Sequence, residues 1–249
     1  MGIAIWIFFA NKEENVVKVS EVIPIEQKRI DGPIALERKE TSTEVLPEPV
    51  PAVKVSQSSL LENVPFTSQA PFGEWNDSTF QNGCEEAALV MAEYWLTGKV
   101  LTKDSAKKEI ILLEKFEEKK FGQSIDASTK DTEQLFRDYY GVTTSEVRTD
   151  ITPLDIQETL ASGALVIVPA DGRKLFNPNF KQPGPTTHMV VIIGYDKEKK
   201  EFITNDSGTR NGKNYRYKEN ILFSAIRDYP TGDHLPIKEI KKVMIVVKK

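Results

Sequence analysis

The order of helical and strand patterns constrains the fold of this chain most strongly. Helical periodicity, with capping residues at the start and a glycine near the end, predicts helices over 84–98, 102–122, 128–141 and 152–163. Runs rich in β-branched residues predict strands over 164–170, 188–196, 200–206 and 243–249. Helices that precede mostly antiparallel strands are typical of an α+β fold, and we expect two packed layers, with the N-terminal helices on the sheet.

The first part of the chain lacks the side chains that a core requires. No aromatic residue occurs from Asn11 to Pro65, and Pro47, Pro49 and Pro51 lie within five positions. This composition favours an extended, semi-rigid spacer. We therefore expect a short apolar segment over 1–10, a disordered linker over 11–60 and one folded domain over 61–249.

The N-terminal segment "MGIAIWIFFA" is apolar but shorter than the roughly 20 residues that cross a bilayer. It is compatible with the remnant of a signal or membrane anchor, and also with a tail that packs on the fold. We expect a secreted or membrane-anchored, extracytoplasmic protein with a possible membrane tether, and the alternative is a cytoplasmic one.

Charge and cysteine content exclude several classes of partner. A net charge of −4 gives no reason to expect nucleic acid as a partner, because that partner calls for a clustered basic surface. Cys84 is the only cysteine, so the chain has no internal disulfide, and with His188 and His234 as its only histidines a zinc site would need carboxylates. We expect no metal, no cofactor and a monomer.

The single cysteine lies at the start of the first predicted helix. With Asn82 as the N-cap and Glu85 at N3, the Cys84 thiol falls within the first turn, on the inward face shared by Ala87, Ala88, Met91 and Trp95. The helix dipole there favours a thiolate and is expected to lower the thiol pKa below its free value of about 8.5. We interpret Cys84 as a nucleophile, with Gly83 leaving room for a substrate. The alternative is a small buried apolar residue.

Two further residues suit a nucleophilic site. His188 opens the strand "HMVVIIGYD" after a loop rich in glycine and proline. The next strand, "FITNDSG", pairs back along it, which predicts that Asp206 is the neighbour of His188. An Asp that accepts from one imidazole nitrogen would direct the other nitrogen towards the thiol. Asp206 as a turn residue, and Asn205 as the orienting group after a bulge, remain alternatives.

Some nearby residues have weaker signals. Aromatic residues around the cysteine could line a substrate groove or pack a loop against the core: Phe66, Phe72, Trp75 and Phe80. The basic side chains of "RNGKNYRY" could hold substrate carboxylates, or belong to a solvated hairpin. His234, in the polar stretch "TGDHLP", is expected at the surface.

Three segments, "VPFTSQAPFGEWNDSTFQNGCEEAALVMAEYW", "THMVVIIGYD" and "FITNDSG", together resemble the C39-like cysteine peptidase family, a branch of the papain-like fold. The resemblance extends from residue 63 to about 229. It implies a papain-like fold with Cys84 as nucleophile, His188 as general base and acid, and Asp206 as the orienting group.

The resemblance also implies an oxyanion donor. The family's "VPxxSQ" opening points to Gln69, and Gln81, closer to the cysteine, is the alternative. The implied activity is hydrolysis of an amide bond in a peptide or protein through an acyl-enzyme. The same residues could perform deamidation or acyl transfer, and an inactive peptide-binding module is a further alternative.

Overall fold

The computed structural model describes residues 58–249, so the predicted segment 1–10 and the linker up to residue 57 lie outside the described residues. The helices are α1 Ser78–Asn82, α2 Cys84–Thr97, α3 Lys103–Phe121, α4 Thr129–Tyr140, α5 Pro153–Ala161 and α6 Glu219–Ala225. The strands are β1 Ser59–Leu60, β2 Ser145–Thr149, β3 Leu165–Ala170, β4 His188–Asp196, β5 Glu201–Asn205, β6 Tyr215–Lys218 and β7 Val243–Val247.

The long helices begin and end where the capping residues predict. Thr102 and Thr152 form capping boxes at the starts of α3 and α5, since each accepts from the backbone N–H three residues on. Gly122 and Gly141 end α3 and α4 in the left-handed conformation, with φ of 78° and 72°. Glycine adopts this conformation without a steric penalty, so these sequence signals fix the helix ends well.

The seven strands form one antiparallel sheet. Its strand order is β2-β7-β3-β4-β5-β6, and β1 pairs with β4. β3 and β5 flank β4, with Ala170 opposite His188 on one side and Asn205 opposite Val191 on the other. His188, at the start of β4, thus pairs with β3 only, because the pairing with β5 begins three residues later at Val191.

Helices cover both faces of the sheet. Alternate residues of β3 and β4 point to opposite sides: Leu165 and Met189 join the core with α2, α3 and α4, while Val166 and Val190 join the core with α5 and α6. The α+β fold with helices packed on an antiparallel sheet is confirmed. The expectation of two layers was wrong, because α5 and α6 bury the second face and make three layers.

The sequence patterns missed the shortest elements. α1 and α6 have only five and seven residues, too few for a clear helical period. β2 reads "SEVRT", which is mostly exposed and charged. Ser59 and Leu60, the end of the predicted linker, pair with Tyr195 and Gly194. Within residues 58–249, no helix has the length and apolarity to cross a membrane.

Candidate active site

Cys84 is the first residue of α2, and only Gly83 separates it from the end of α1. Asn82 is the last residue of α1 rather than the N-cap of α2, and Gly83 is the N-cap, without a side-chain hydrogen bond. The predicted pairing of Asn82 with Glu85 was therefore wrong. The thiol still points inward, and Cys84 is 6% exposed.

Gly83 is needed for packing between helices. A Cβ at this position would lie 2.8 Å from the carbonyl oxygen of Thr79 and 3.3 Å from Cγ2 of Ile110. α1 and α3 would have to move to admit any side chain. This contact explains the glycine before the cysteine, which we had expected to make room for a substrate.

The structure brings His188 and Asp206 together. Nε2 of His188 lies 2.8 Å from Oδ1 of Asp206, and both residues are buried, at 1% and 0% exposed. His188 opens β4, and Asp206 directly follows β5, so hairpin pairing creates the contact. Among the described residues, Nδ1 of His188 has no hydrogen-bond partner.

Four donors surround the Asp206 carboxylate. Besides His188, the Gly208 N–H donates to Oδ1 at 3.0 Å, and Tyr217 OH and Asn177 Nδ2 donate to Oδ2 at 2.5 and 3.4 Å. Burial by itself would raise the pKa of Asp206, but the charge and hydrogen bond of His188 and the other donors outweigh it, so the pKa is lowered. Because an ionised Asp206 only accepts, we infer that Nε2 of His188 carries a hydrogen, which leaves Nδ1 as the acceptor in the neutral form of the ring.

Asn205 has a structural role instead. Its Nδ2 donates to the carbonyl of Pro65 at 3.1 Å, and its Oδ1 accepts from the Asn214 N–H at 3.2 Å. Asn205 thus connects β5 to the segment before Gln69. The alternative in which Asn205 orients His188 was wrong, because its side chain faces away from the histidine.

The thiol of Cys84 is hydrogen-bonded to its neighbour Glu85, with Sγ 2.8 Å from Oε2. Burial, followed by the charge and hydrogen bond of Glu85, raises the pKa of the Cys84 thiol well above its usual value, and a hydrogen bond from the Met189 backbone offsets this only in part. We had expected a lowered pKa. That expectation was wrong because burial of the thiol, together with the carboxyl group of Glu85, outweighs the helix dipole.

Glu85 is fixed in this position by residues from distant parts of the chain. Its Oε1 accepts from Tyr229 OH at 2.7 Å and from the Ala127 N–H at 3.4 Å. Burial raises the pKa of Glu85, and its hydrogen bonds with Cys84 and Tyr229 oppose that effect without cancelling it. The resting structure therefore presents a neutral thiol bound to Glu85.

Two more buried carboxyl groups belong to α2 and α3. Glu86 on α2 and Glu117 on α3 are 2% and 1% exposed, and each leaves its Oε2 without a hydrogen-bond partner. Burial, then the neighbouring charge of Glu117, raises the pKa of Glu86 well above its usual value. Burial raises the pKa of Glu117 to about 7. Burial therefore opposes ionisation of both carboxyl groups.

Both candidate glutamines line the cavity of the cysteine, with their amide groups engaged. Nε2 of Gln69 donates to the carbonyls of Phe80 and Gln81 at 3.1 and 2.9 Å. Nε2 of Gln81 donates to the Trp75 carbonyl at 2.7 Å. Gln69 is buried and its Oε1 has no partner. Gln69 has thus used both amide hydrogens, whereas Gln81 has one left.

A cavity of about 630 Å³ contains the thiol and the imidazole. Cys84, His188, Gln69 and Gln81 line it, together with the loops 179–187 and 208–210. Asp206 lies behind His188, out of contact with the cavity. The cavity is therefore a place where a substrate could meet both the thiol and the histidine.

The other candidates divide between the groove and the surface. Phe66, Phe72 and Trp75 line a smaller cavity of about 270 Å³, and Trp75 also lines the larger one. Phe80 is buried in the core. His234 is exposed, as expected, and its Nδ1 lies 2.9 Å from Oδ2 of Asp126. Across residues 58–249, no group of three or more His, Cys, Asp or Glu side chains is arranged to hold a metal ion.

Sequence reasoning missed Glu85 and Tyr217 as partners of the site. Glu85 was assigned to helix capping, although two adjacent carboxylates in the apolar run "CEEAALVMA" signal buried charge that needs a partner. Tyr217 was part of a presumed surface hairpin, and its alternation with exposed Arg216 and Lys218 signals a buried face.

Comparison with known proteins identifies the family. Residues 61–229 match the model of the Peptidase_C39 like family, so the chain belongs to that family, as its resemblance predicted. A crystal structure from Bacillus anthracis, of a candidate C39-like peptidase, is 16% identical, with 78% of this chain and 98% of that chain covered and a TM-score of 0.43. No curated protein matches the chain.

Proposed function

We propose that the protein is a cysteine peptidase that hydrolyses an amide bond in a peptide or protein through an acyl-enzyme on Cys84. One observation carries the proposal: the thiol of Cys84 and an imidazole held by a buried carboxylate line the same cavity. A nucleophile, a base and a group that orients the base are the parts that acyl transfer requires. Membership of the Peptidase_C39 like family supports the same activity.

The first chemical step transfers the thiol proton. Sγ of Cys84 leaves Oε2 of Glu85 and turns towards Nδ1 of His188, which takes the proton as sulfur attacks the substrate carbonyl carbon. Asp206 stabilises the imidazolium that forms, because its carboxylate accepts from Nε2. Loss of the Glu85 hydrogen bond is a cost of this step, and the bond between His188 and the thiol offsets it.

The oxyanion requires donors near the start of α2. The N–H of Cys84, which has no intrahelical partner at this position, is one donor. Gln69 is the second in our proposal, and its amide must then exchange a bond to the carbonyl of Phe80 or Gln81. Gln81 is the alternative. Loss of one such donor costs about 3 kcal/mol of transition-state stabilisation.

Breakdown of the tetrahedral intermediate completes acylation. The carbon–nitrogen bond breaks as the imidazolium of His188 gives its proton to the departing amine. Water then enters the cavity, and its oxygen attacks the acyl carbon as His188 takes one of its protons. The carbon–sulfur bond breaks, the product leaves as a carboxylic acid, and the proton on His188 returns to the Cys84 thiolate. Neither half-reaction needs a cofactor.

A catalytically inactive peptide-binding module is the second candidate function. The hydrogen bond between Cys84 and Glu85 and the raised thiol pKa favour it, because both oppose formation of a thiolate. Such a module would keep the cavity and bind peptides without changing them.

Digestion of a diverse peptide mixture, read by mass spectrometry, tests these candidates. We expect split peptides with the unsubstituted protein and none with Cys84→Ala. A change of mass without splitting would indicate deamidation, and joined peptides would indicate acyl transfer. Peptides that the protein retains but leaves unchanged would support the binding module and contradict the peptidase proposal.

A further inference from the structure

The charged side chains of the groove are all basic. Apart from Cys84 and His188, the ionisable side chains that line the larger cavity are Lys181 and Arg210, and those of the smaller cavity are Lys103 and Arg210. Within the described part of the chain, no Asp or Glu lines either cavity. The chain as a whole carries a net charge of −4. Positive charge is thus concentrated where a substrate would lie.

Arg210 connects the two cavities. It lines both of them, as Trp75 does, so it lies where the larger cavity meets the smaller one. Among residues 58–249 its guanidinium forms no ion pair or hydrogen bond, whereas Arg216 of the same segment is paired with Asp196 and Glu201 at 2.9 and 3.3 Å. Arg210 is therefore the basic residue of "RNGKNYRY" that lines the cavities and is available to a ligand there.

The loop that carries Arg210 is held close to the candidate catalytic residues. The Asp206 N–H donates to the Gly212 carbonyl at 3.0 Å, and Nδ2 of Asn211 donates to Oδ1 of Asn179 at 3.0 Å. A Cβ on Gly212 would lie 1.8 Å from the carbonyl oxygen of Asp206, so only glycine permits this closure. The backbone of Arg210 is thus placed relative to Asp206 by the same short loop.

The smaller cavity adds a mixed apolar and basic wall. Phe66, Phe72 and Trp75 supply aromatic surface, and Nζ of Lys103 lies 5.7 Å from the centre of the Phe72 ring. A side chain with a short apolar stem and a carboxylate at its end matches this lining. A guanidinium binds a carboxylate through two parallel hydrogen bonds, which gives direction as well as charge.

We propose that Arg210, with Lys103 and Lys181, binds a substrate carboxylate next to the bond that is cleaved, so that the substrates are acidic peptides. This inference rests on the proposed function in one respect, namely that the cavity of Cys84 is where the substrate binds. The carboxylate is either an Asp or Glu side chain or the C-terminal carboxylate of the peptide. Arg210 is a specificity residue in this account, since it contacts the substrate away from the reacting atoms.

Binding to the full chain carrying Cys84→Ala tests the proposal without requiring cleavage. The probes are matched synthetic peptides in which one position at a time is Glu, Gln or Lys, each with a free or an amidated C-terminus. We expect Glu peptides to bind about tenfold more tightly than their Gln partners, with a difference that shrinks as salt is added. A preference for Glu that persists in amidated peptides assigns the site to acidic side chains, and binding that weakens on amidation whatever the varied residue assigns it to the terminal carboxylate.

Arg210→Ala should remove most of this preference, and Arg210→Glu should reverse it towards Lys peptides. Lys213→Ala is the matched control, because Lys213 belongs to the same segment, is exposed and lines neither cavity. Equal binding of Glu, Gln and Lys peptides that amidation also leaves unchanged, or a carboxylate preference that Arg210→Ala leaves intact, would overturn the proposal.

The outcomes also separate this proposal from the peptidase proposal. Charge-selective binding together with no cleavage by the unsubstituted protein would support the basic groove and contradict the peptidase. Cleavage that ignores peptide charge would support the peptidase and contradict the acidic-substrate proposal.

Discussion

Two sets of buried carboxyl groups, on opposite sides of the candidate site, differ in the donors that surround them. Asp206, on the sheet side, accepts hydrogen bonds from four residues, and its pKa is lowered despite complete burial. Glu86 and Glu117, on the helix side, each leave an oxygen without a partner, and their pKa values are raised. Burial alone therefore does not decide the charge of a carboxyl group here: the charge of His188 and the donors at Asp206 outweigh it, whereas the charge of a neighbouring carboxyl group adds to it at Glu86.

His188 and Cys84, the candidate catalytic pair, also differ in the partners that hold their side chains. Nε2 of His188 contacts Asp206, and among the described residues its Nδ1 has no hydrogen-bond partner. Cys84 is bound to Glu85, a carboxyl group that itself lies between Tyr229 and the thiol. In the proposed mechanism the sheet side already has the arrangement that base catalysis requires, and the thiol on the helix side must first leave Glu85.

Removal of His188 should have the largest effect on activity. His188→Ala leaves no base within the cavity, so we expect peptide hydrolysis to fall by about 10³-fold or more. Binding of the same peptides to the variant should change little. A variant that folds normally, shown by an unchanged circular dichroism spectrum, and still hydrolyses peptides at the original rate would contradict the assigned role.

Asp206→Asn should have the next largest effect. The amide of the new side chain places an N–H group among the donors around residue 206, so at least one donor loses its acceptor. We expect kcat to fall by about 10²-fold and the free energy of unfolding to fall by about 1 to 3 kcal/mol. Tyr217→Phe removes one donor to Asp206 and keeps the ring, so kcat should fall by less than with Asp206→Asn. Equal effects of the two substitutions would show that the carboxylate has no special role.

Glu117→Gln should have a smaller effect, visible in the pH dependence of stability. The folded-state pKa of Glu117 is raised from 4.5 to about 7, so its contribution to stability is complete below pH 4.5 and is lost as pH rises through about 7. Because the amide cannot ionise, the variant should be more stable than the parent at pH 8 by about 1 to 3 kcal/mol and show little difference at pH 4. Denaturant unfolding at the two pH values measures this.

Asp206 should act in the opposite direction. Its lowered folded-state pKa means that its contribution is present above the usual carboxyl pKa and is lost as pH falls through the folded-state value. The free energy of unfolding of Glu117→Gln could instead decline between pH 5 and pH 8 as steeply as that of the parent. Ionisation of Glu117 would then not cause the decline, and the contrast between Asp206 and Glu117 would be contradicted.

Local patterns predicted much of this molecule. The capping residues Thr102 and Thr152 and the left-handed glycines placed the ends of α3, α4 and α5 within one or two residues. Strand alternation and hairpin pairing also predicted the contact of His188 with Asp206, because both residues belong to consecutive strands. Where neighbours in sequence determine neighbours in space, sequence reasoning succeeds.

The environment of the thiol could not be read in this way. Glu85 is oriented by Tyr229 and Ala127, which are 144 and 42 residues away along the chain, and no local pattern reports such contacts. The second helical layer was missed for a related reason: β3 and β4 are apolar on both faces, and their composition alone does not show what covers each face.

The rate of Cys84 alkylation by iodoacetamide against pH, read by intact mass, tests the central claim most directly, since the chain has one cysteine. The claim is that Cys84 is a nucleophile that pairs with His188 once it leaves Glu85. Glu85→Gln removes the carboxylate at the thiol, and Glu86→Gln is the control, because Glu86 is a buried neighbour that forms no hydrogen bond with Sγ.

We predict slow alkylation of the unsubstituted protein below pH 8. Near pH 7, the alkylation rate of Glu85→Gln should be about tenfold higher. The double variant with Glu85→Gln and His188→Ala should lose this gain. Glu86→Gln should behave nearly as the parent does. Identical pH profiles for the parent, Glu85→Gln and the double variant would contradict the claim and leave Cys84 as an ordinary buried thiol.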